Sequence, residues 1–97
     1  MRERDVEAHL VSQVKALGGE VRKVRWIGRR GAPDRLVLVP GCYPFLLELK
    51  APGKRPTIQQ FREMERIAGY GLPTAWADTP TRVDAAIVEM VKKECQR

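Results

Sequence analysis

The chain has 97 residues and no apolar run approaching the length of a membrane-spanning helix. That absence argues against a helical membrane protein. The start, Met-Arg-Glu-Arg-Asp, leads into a polar amphipathic pattern and not an apolar signal segment, so a cytoplasmic protein is expected. Cysteine is scarce. Cys42 and Cys95 have no CxxC spacing and a single histidine for company. The expectation is two free thiols in a reducing compartment. No internal repeat, low-complexity stretch or linker interrupts the chain, so residues 1–97 read as one domain. A chain this short buries a modest core, and oligomerisation would help it.

What the chain does have is positive charge. Eighteen Lys and Arg face twelve Asp and Glu, for a formal net charge of +6 and a pI near 9.8. That balance favours polyanions, nucleic acid first. The charges cluster. Arg22, Lys23 and Arg25 lie on one segment, Arg29 and Arg30 in a glycine-rich loop, and Lys54 and Arg55 in a loop broken by two prolines. An ordinary solvated surface would account for them, but they bracket one stretch of sequence on both sides, which points to phosphate contact.

The pattern of apolar residues predicts the order α-β-β-β-α-β-α, an α/β chain with a mixed sheet and helices on its faces. Val6, Leu10, Val14 and Leu17 have helical spacing within residues 3–17, and Gly18-Gly19 ends that helix. Residues 20–26 read as a strand. Residues 34–39 and 45–50 read as a hairpin joined by a Pro-Gly-Cys-Tyr-Pro turn. The strand 34–39 is apolar on both faces beyond Arg35, as expected of a covered central strand. Thr57 and Gln60 form a capping box opening a helix to about Ala68. Residues 73–77 are a short strand, and a last helix beginning near Thr79-Pro80 carries Val83, Ile87, Met90 and Val91 on its apolar face.

The hairpin holds the chemistry. Strand side chains alternate faces, so Glu48 and Lys50 share one face while Phe45, Leu47 and Leu49 take the other. Asp34 opens the adjacent strand and can reach the same region. A carboxylate among Phe45, Leu46, Leu47 and Leu49 is costly without a partner. Two carboxylates at one spot repel unless a cation sits between them, and hard oxygen ligands suit Mg²⁺ or Mn²⁺. An ammonium beside them suits a phosphate or an attacking water. Taken alone, Asp34 also fits a turn residue at a strand start.

Pro33-Asp34 with Glu48-Leu49-Lys50 resembles the PD-(D/E)XK nuclease superfamily. Adding a first helix with Glu7, the Gly31-Ala32-Pro33-Asp34 stretch, and Thr57-Ile58-Gln59-Gln60 opening a helix, the chain resembles a virus-type replication-repair nuclease (VRR-NUC) domain over nearly its whole length. The resemblance implies a restriction-endonuclease-like core and a Mg²⁺-dependent DNA endonuclease, with Mn²⁺ able to substitute. It implies catalytic roles for Asp34, Glu48 and Lys50. Asp34, Glu48 and the backbone carbonyl of Leu49 would hold metal, with Glu7 contributing directly or through water. Without the resemblance, Glu7 reads as a boundary glutamate. Gln60 is accounted for by the capping box, yet the family often places a glutamine there to orient a phosphate or water; Gln59 is the alternative.

Stand-alone relatives also imply a homodimer acting on branched DNA such as four-way (Holliday) junctions, within the cytoplasm of a bacterial or phage-infected cell. Two rival readings remain at this stage: a non-catalytic basic DNA-binding module, and a nuclease subunit targeted by a larger partner. His9 reads as a surface or boundary histidine, and Trp26 and Trp76 as packing residues.

Overall fold

The computed structural model describes residues 1–94. It contains α1 (Glu3–Ala16), β1 (Glu20–Lys23), β2 (Arg35–Leu38), β3 (Phe45–Leu49), α2 (Ile58–Gly69), β4 (Thr74–Ala77) and α3 (Pro80–Glu94). The expected order α-β-β-β-α-β-α is borne out. The four strands form one sheet in the order β1-β2-β3-β4, antiparallel for the first two pairs and parallel for β3 with β4.

One face of the sheet carries the main core. Val6, Leu10 and Val14 of α1 are fully buried, and with Val83, Ala86, Ile87 and Met90 of α3 they cover Val37, Phe45, Leu47, Leu49 and Ala77. Each of the larger side chains contributes roughly 2 kcal/mol by leaving water. His9 of α1 reaches Asp84 of α3, with Nε2 2.7 Å from Oδ1. The second face is covered by α2 on the β4 side, where Phe61 meets Trp76 edge-on at 6.1 Å. β3 is buried along its whole length. β2 differs from expectation: Arg35 and Val37 are buried, whereas Leu36 and Leu38 are only half-buried. On the second face α2 does not reach across the sheet, and an apolar groove of about 290 Å³ lies between Trp26, Leu36, Leu46 and Leu72.

The helix ends follow their local sequence. The Asp5 carboxylate accepts the Arg2 N–H at 2.7 Å, opening α1. Gly18 N–H donates to Lys15 O at 2.9 Å and Gly19 N–H to Val14 O at 3.0 Å, a Schellman stop with Gly18 at φ +82°. Gly19 is required for space: a Cβ there would collide with the Leu38 carbonyl oxygen of the facing strand, and backbone cannot swing away. Gly19→Ala is expected to destabilise the fold by about 3 kcal/mol, as overpacking against rigid atoms does. A chemical-denaturation midpoint matching that of the parent would show that the α1–β1 junction gives way more easily.

Two further expectations are corrected. β1 ends at Lys23 instead of extending to residue 26. Val24 N–H still bonds to Asp34 O at 2.9 Å, but Trp26 leaves the ladder and its indole N–H donates to Pro33 O at 2.9 Å. Cys42 is not a free thiol but disulfide-bonded, and Cys95 lies outside the described residues. Spacing along the chain cannot report which distant cysteines a fold makes neighbours.

Candidate active site

The antiparallel register of β2 and β3 builds the centre of the site. Arg35 pairs with Leu47, so the next rung places Asp34 across from Glu48. Like charges directly opposite on neighbouring strands are destabilising. The cost registers on Glu48, which is 9% exposed and has its pKa raised to about 7. Burial is the largest cause, the Asp34 charge the next, and Glu3 adds to both. Lys50 works in the opposite direction, its Nζ lying 3.7 Å from Glu48 Oε2. Lys50 is fixed in turn by the end of the parallel pair, where its N–H donates to Ala77 O at 2.9 Å.

Gln60 closes the site from α2. Its Oε1 accepts the Thr57 N–H at 2.8 Å, and the Thr57 hydroxyl accepts the Gln60 N–H at 3.1 Å, the full capping box. The same side chain points Nε2 at Glu48 Oε2, 3.4 Å away. Cap and site contact are therefore not alternatives: one amide does both, one end on backbone and the other on the carboxyl. Gln59 faces away, toward the loop at Gly31.

Glu7 is brought to the site's edge through a residue that sequence reasoning passed over. Arg35 alternates away from Asp34 on β2, toward α1, and is buried. Its Nε donates to Glu7 Oε2 at 2.5 Å and its NH1 to Asp34 Oδ1 at 2.6 Å. Burial works against the Arg35 charge, but the two carboxylates outweigh it and hold the guanidinium firmly protonated. Glu7 thus faces a guanidinium, and Arg35 spaces it from Asp34. Glu3, one helical turn before Glu7, was missed as well. The i, i+4 spacing of the two glutamates was the available signal.

Among the described residues no three His, Cys, Asp or Glu side chains gather as a metal-ligand cluster. Two carboxylates do face one another, Asp34 and Glu48, with the Leu49 carbonyl next along the chain. Mg²⁺ keeps several waters and takes one or two protein carboxylates, so this donor set fits such an ion. The mutual repulsion recorded at Glu48 is what a cation between the two would relieve.

The basic residues separate into distinct settings. Arg22 is exposed and pairs with Glu20 at 2.8 Å, while Lys23 and Arg25 are exposed. Arg29 is tied to Glu63 of α2, and Arg30 stands exposed beside it. The loop after Lys50 is held by Asp78, whose Oδ2 accepts the Gly53 N–H at 3.1 Å. Lys54 is exposed on that loop. Arg55 lies over the Trp76 ring at 5.8 Å, with Arg82 at 4.7 Å. Trp76 is thus a half-buried packing platform for two guanidinium groups.

No family model matches the chain. Individual relatives do. Over 71 residues, 73% of this chain and 76% of the relative, it is 46% identical to "Putative nuclease p44" of Acyrthosiphon pisum secondary endosymbiont phage 1. A solved structure described as a VRR_NUC domain superposes with a TM-score of 0.78 at 34% identity, covering 89% of this chain and 94% of that one. With an opposed Asp34–Glu48 pair beside Lys50 on the matching fold, the chain belongs to the VRR-NUC family of nuclease domains.

Proposed function

We propose that this nuclease is a Mg²⁺-dependent deoxyribonuclease, selective for branched DNA and active as a symmetric homodimer. The observation that carries the chemistry is the rung joining Asp34 and Glu48, with Lys50 on the same face. Pure phosphate binding gains nothing from two opposed acids, which weighs against a non-catalytic binding module. When bound between Asp34, Glu48 and the Leu49 carbonyl, Mg²⁺ supplies Lewis-acid polarisation of the phosphate and a more acidic water.

The chain's own residues do the rest. Lys50 orients the attacking water or offsets charge growing on the phosphoryl oxygens. Gln60 fixes the rotamer of Glu48 while anchoring α2. Arg35 holds Asp34 from behind, so that carboxylate is positioned before any ligand arrives. Water adds its oxygen to phosphorus and gives up a proton to solvent, the bond to the 3′ oxygen breaks, and that oxygen leaves with a proton taken from solvent. The products are a 5′-phosphate and a 3′-hydroxyl, as generally in the superfamily.

Selectivity for branches follows from assembly. A two-fold dimer presents two identical sites at one separation, which suits paired cuts on a four-way junction. The apolar groove beside Trp26, with Trp26 37% exposed and Ile27 91% exposed, supports an interface on that side. The test is a panel of linear duplex, flap and four-way-junction DNA with Mg²⁺, Mn²⁺ or EDTA, alongside light scattering. Junction cleavage by a dimer with either metal, and none in EDTA, is expected. A monomer that cuts linear duplex as fast as junctions would remove the dimer and the branch selectivity. Binding without cutting under every metal would favour the non-catalytic module.

A further inference from the structure

We propose that the cleft between the loop at residues 28–31 and α2 is a second phosphate-binding track, which holds the sugar–phosphate backbone of a nucleic acid beyond the scissile bond. The inference rests on the nuclease reading and extends it to residues outside the catalytic set. The cleft has a volume of about 660 Å³, and its charged lining is Arg29, Arg30, Arg62, Arg66 and Glu63, four positive groups against one negative.

The groups are arranged for an external anion. Arg62 and Arg66 stand one turn apart on α2, a like-charge pair that by itself slightly destabilises a helix. They are about 6 Å apart along the axis, so their guanidinium groups can meet neighbouring phosphates of one strand. Glu63 feels the Arg66 charge, and Arg66 lies 5.8 Å over the Tyr70 ring, but among the described residues neither Arg62 nor Arg66 is in an ion pair. Glu63 takes Arg29 in a two-pronged grip, with Nε to Oε2 at 3.2 Å and NH2 to Oε1 at 2.7 Å. The carboxylate is nearly buried, at 10% side-chain exposure, while the guanidinium it fixes remains 48% exposed. Arg29 is thus oriented in advance with donors to spare, the condition that favours guanidinium recognition of phosphate. Neither Arg30 nor Arg62 has a carboxylate within ion-pair distance among the described residues.

The cleft adjoins the catalytic carboxylates through rigid backbone. Gly31 has φ +83°, and a Cβ there would sit 3.3 Å from Gln59 O and 3.4 Å from Gln60 Cα. The loop therefore closes directly on the first turn of α2. Three residues after Gly31 comes Asp34; one residue after Gln59, Gln60 reaches Glu48. A strand with its scissile phosphate at Asp34 and Glu48 has this cleft as its continuation along α2. An acidic polypeptide would meet the same charges, but it lacks the regular phosphate spacing and has no reason to lie beside a phosphodiester-cleaving centre.

The experiment measures affinity for fluorescent duplex oligonucleotide in EDTA, where no cleavage intrudes, across a salt titration. Arg62→Ala/Arg66→Ala is compared with Lys15→Ala/Lys92→Ala, which removes the same charge from α1 and α3. Losing two phosphate contacts is expected to reduce the slope of log K against log salt by roughly 1.8. The control pair is expected to change it by less than half as much. Equal effects from both pairs, an unchanged slope in the cleft variant, or competition by polyglutamate as strong as by unlabelled DNA would overturn the proposal. Cleavage by the parent protein in Mg²⁺ is scored separately. Its absence would count against the nuclease reading, whereas normal cleavage with an unchanged cleft-variant slope would sink the track alone.

Discussion

Asp34→Asn and Glu48→Gln are each expected to slow DNA cleavage by about 10³-fold, roughly 4 kcal/mol of transition-state stabilisation. Both substitutions keep the shape and remove one charge. Arg35 retains Glu7 as a partner in the first variant, and Gln60 retains an acceptor in the second, so thermal midpoints should stay near that of the parent. Lys50→Ala is expected to lose less, about 10²-fold, because the carboxylate pair remains. Single-turnover kinetics on a four-way junction, with Mg²⁺ in excess, make the measurement. Full activity of the Asp34 or Glu48 variant would place the chemistry elsewhere in the molecule.

Metal affinity should fall steeply below neutral pH, and the cause is Glu48. Burial first, and the Asp34 charge second, raise its pKa from 4.5 to about 7 in the metal-free fold. Between those values the folded state binds the extra proton. The group's contribution to stability is therefore complete below about pH 4.5 and is lost as pH rises through 7. A divalent ion reverses the balance, since it binds the ionised carboxylate and competes with the proton. From pH 8 down to about pH 5.5, Mg²⁺ affinity is expected to weaken roughly 30-fold, and the rise in thermal midpoint on adding Mg²⁺ should shrink in parallel. Glu48→Gln should flatten both trends. Titration calorimetry of parent and variant at the two pH values decides it, and a parent affinity independent of pH would show that Glu48 is not a ligand.

Much of the fold was legible because local rules and tertiary packing agree. The α1 stripe at Val6, Leu10 and Val14, the glycine stop at residues 18 and 19, the hairpin and the Thr57–Gln60 box each have a cause within a few residues. Leu17 was placed with the α1 stripe but is 45% exposed, because the Schellman turn carries it off the helix face. Strand β1 ran short for a reason no propensity contains: the Trp26 indole is drawn to the Pro33 carbonyl seven residues on. In the site, Asp34, Glu48 and Lys50 stand where alternation puts them. Arg35 was passed over because alternation sends it to the opposite face, and only the docking of α1 makes it a neighbour of Glu7. The Arg29–Glu63 grip spans thirty-four residues and has no signature in either segment.

Arg35 has a consequence for how the molecule opens. It joins the first helix to the second strand through a buried guanidinium, and α1 is otherwise held by apolar contacts and by His9 with Asp84. Were α1 to detach as a unit, Arg35 would lose Glu7, and among the described residues Asp34 would be the counter-ion left to it. Elements open locally with free energies that range from near zero up to that of global unfolding. Here α1 is latched to the same carboxylate that the chemistry uses. Amide protection in α1 and around Asp34 should therefore rise and fall together in hydrogen exchange, so that a loosened α1 and a slack catalytic centre are a single event.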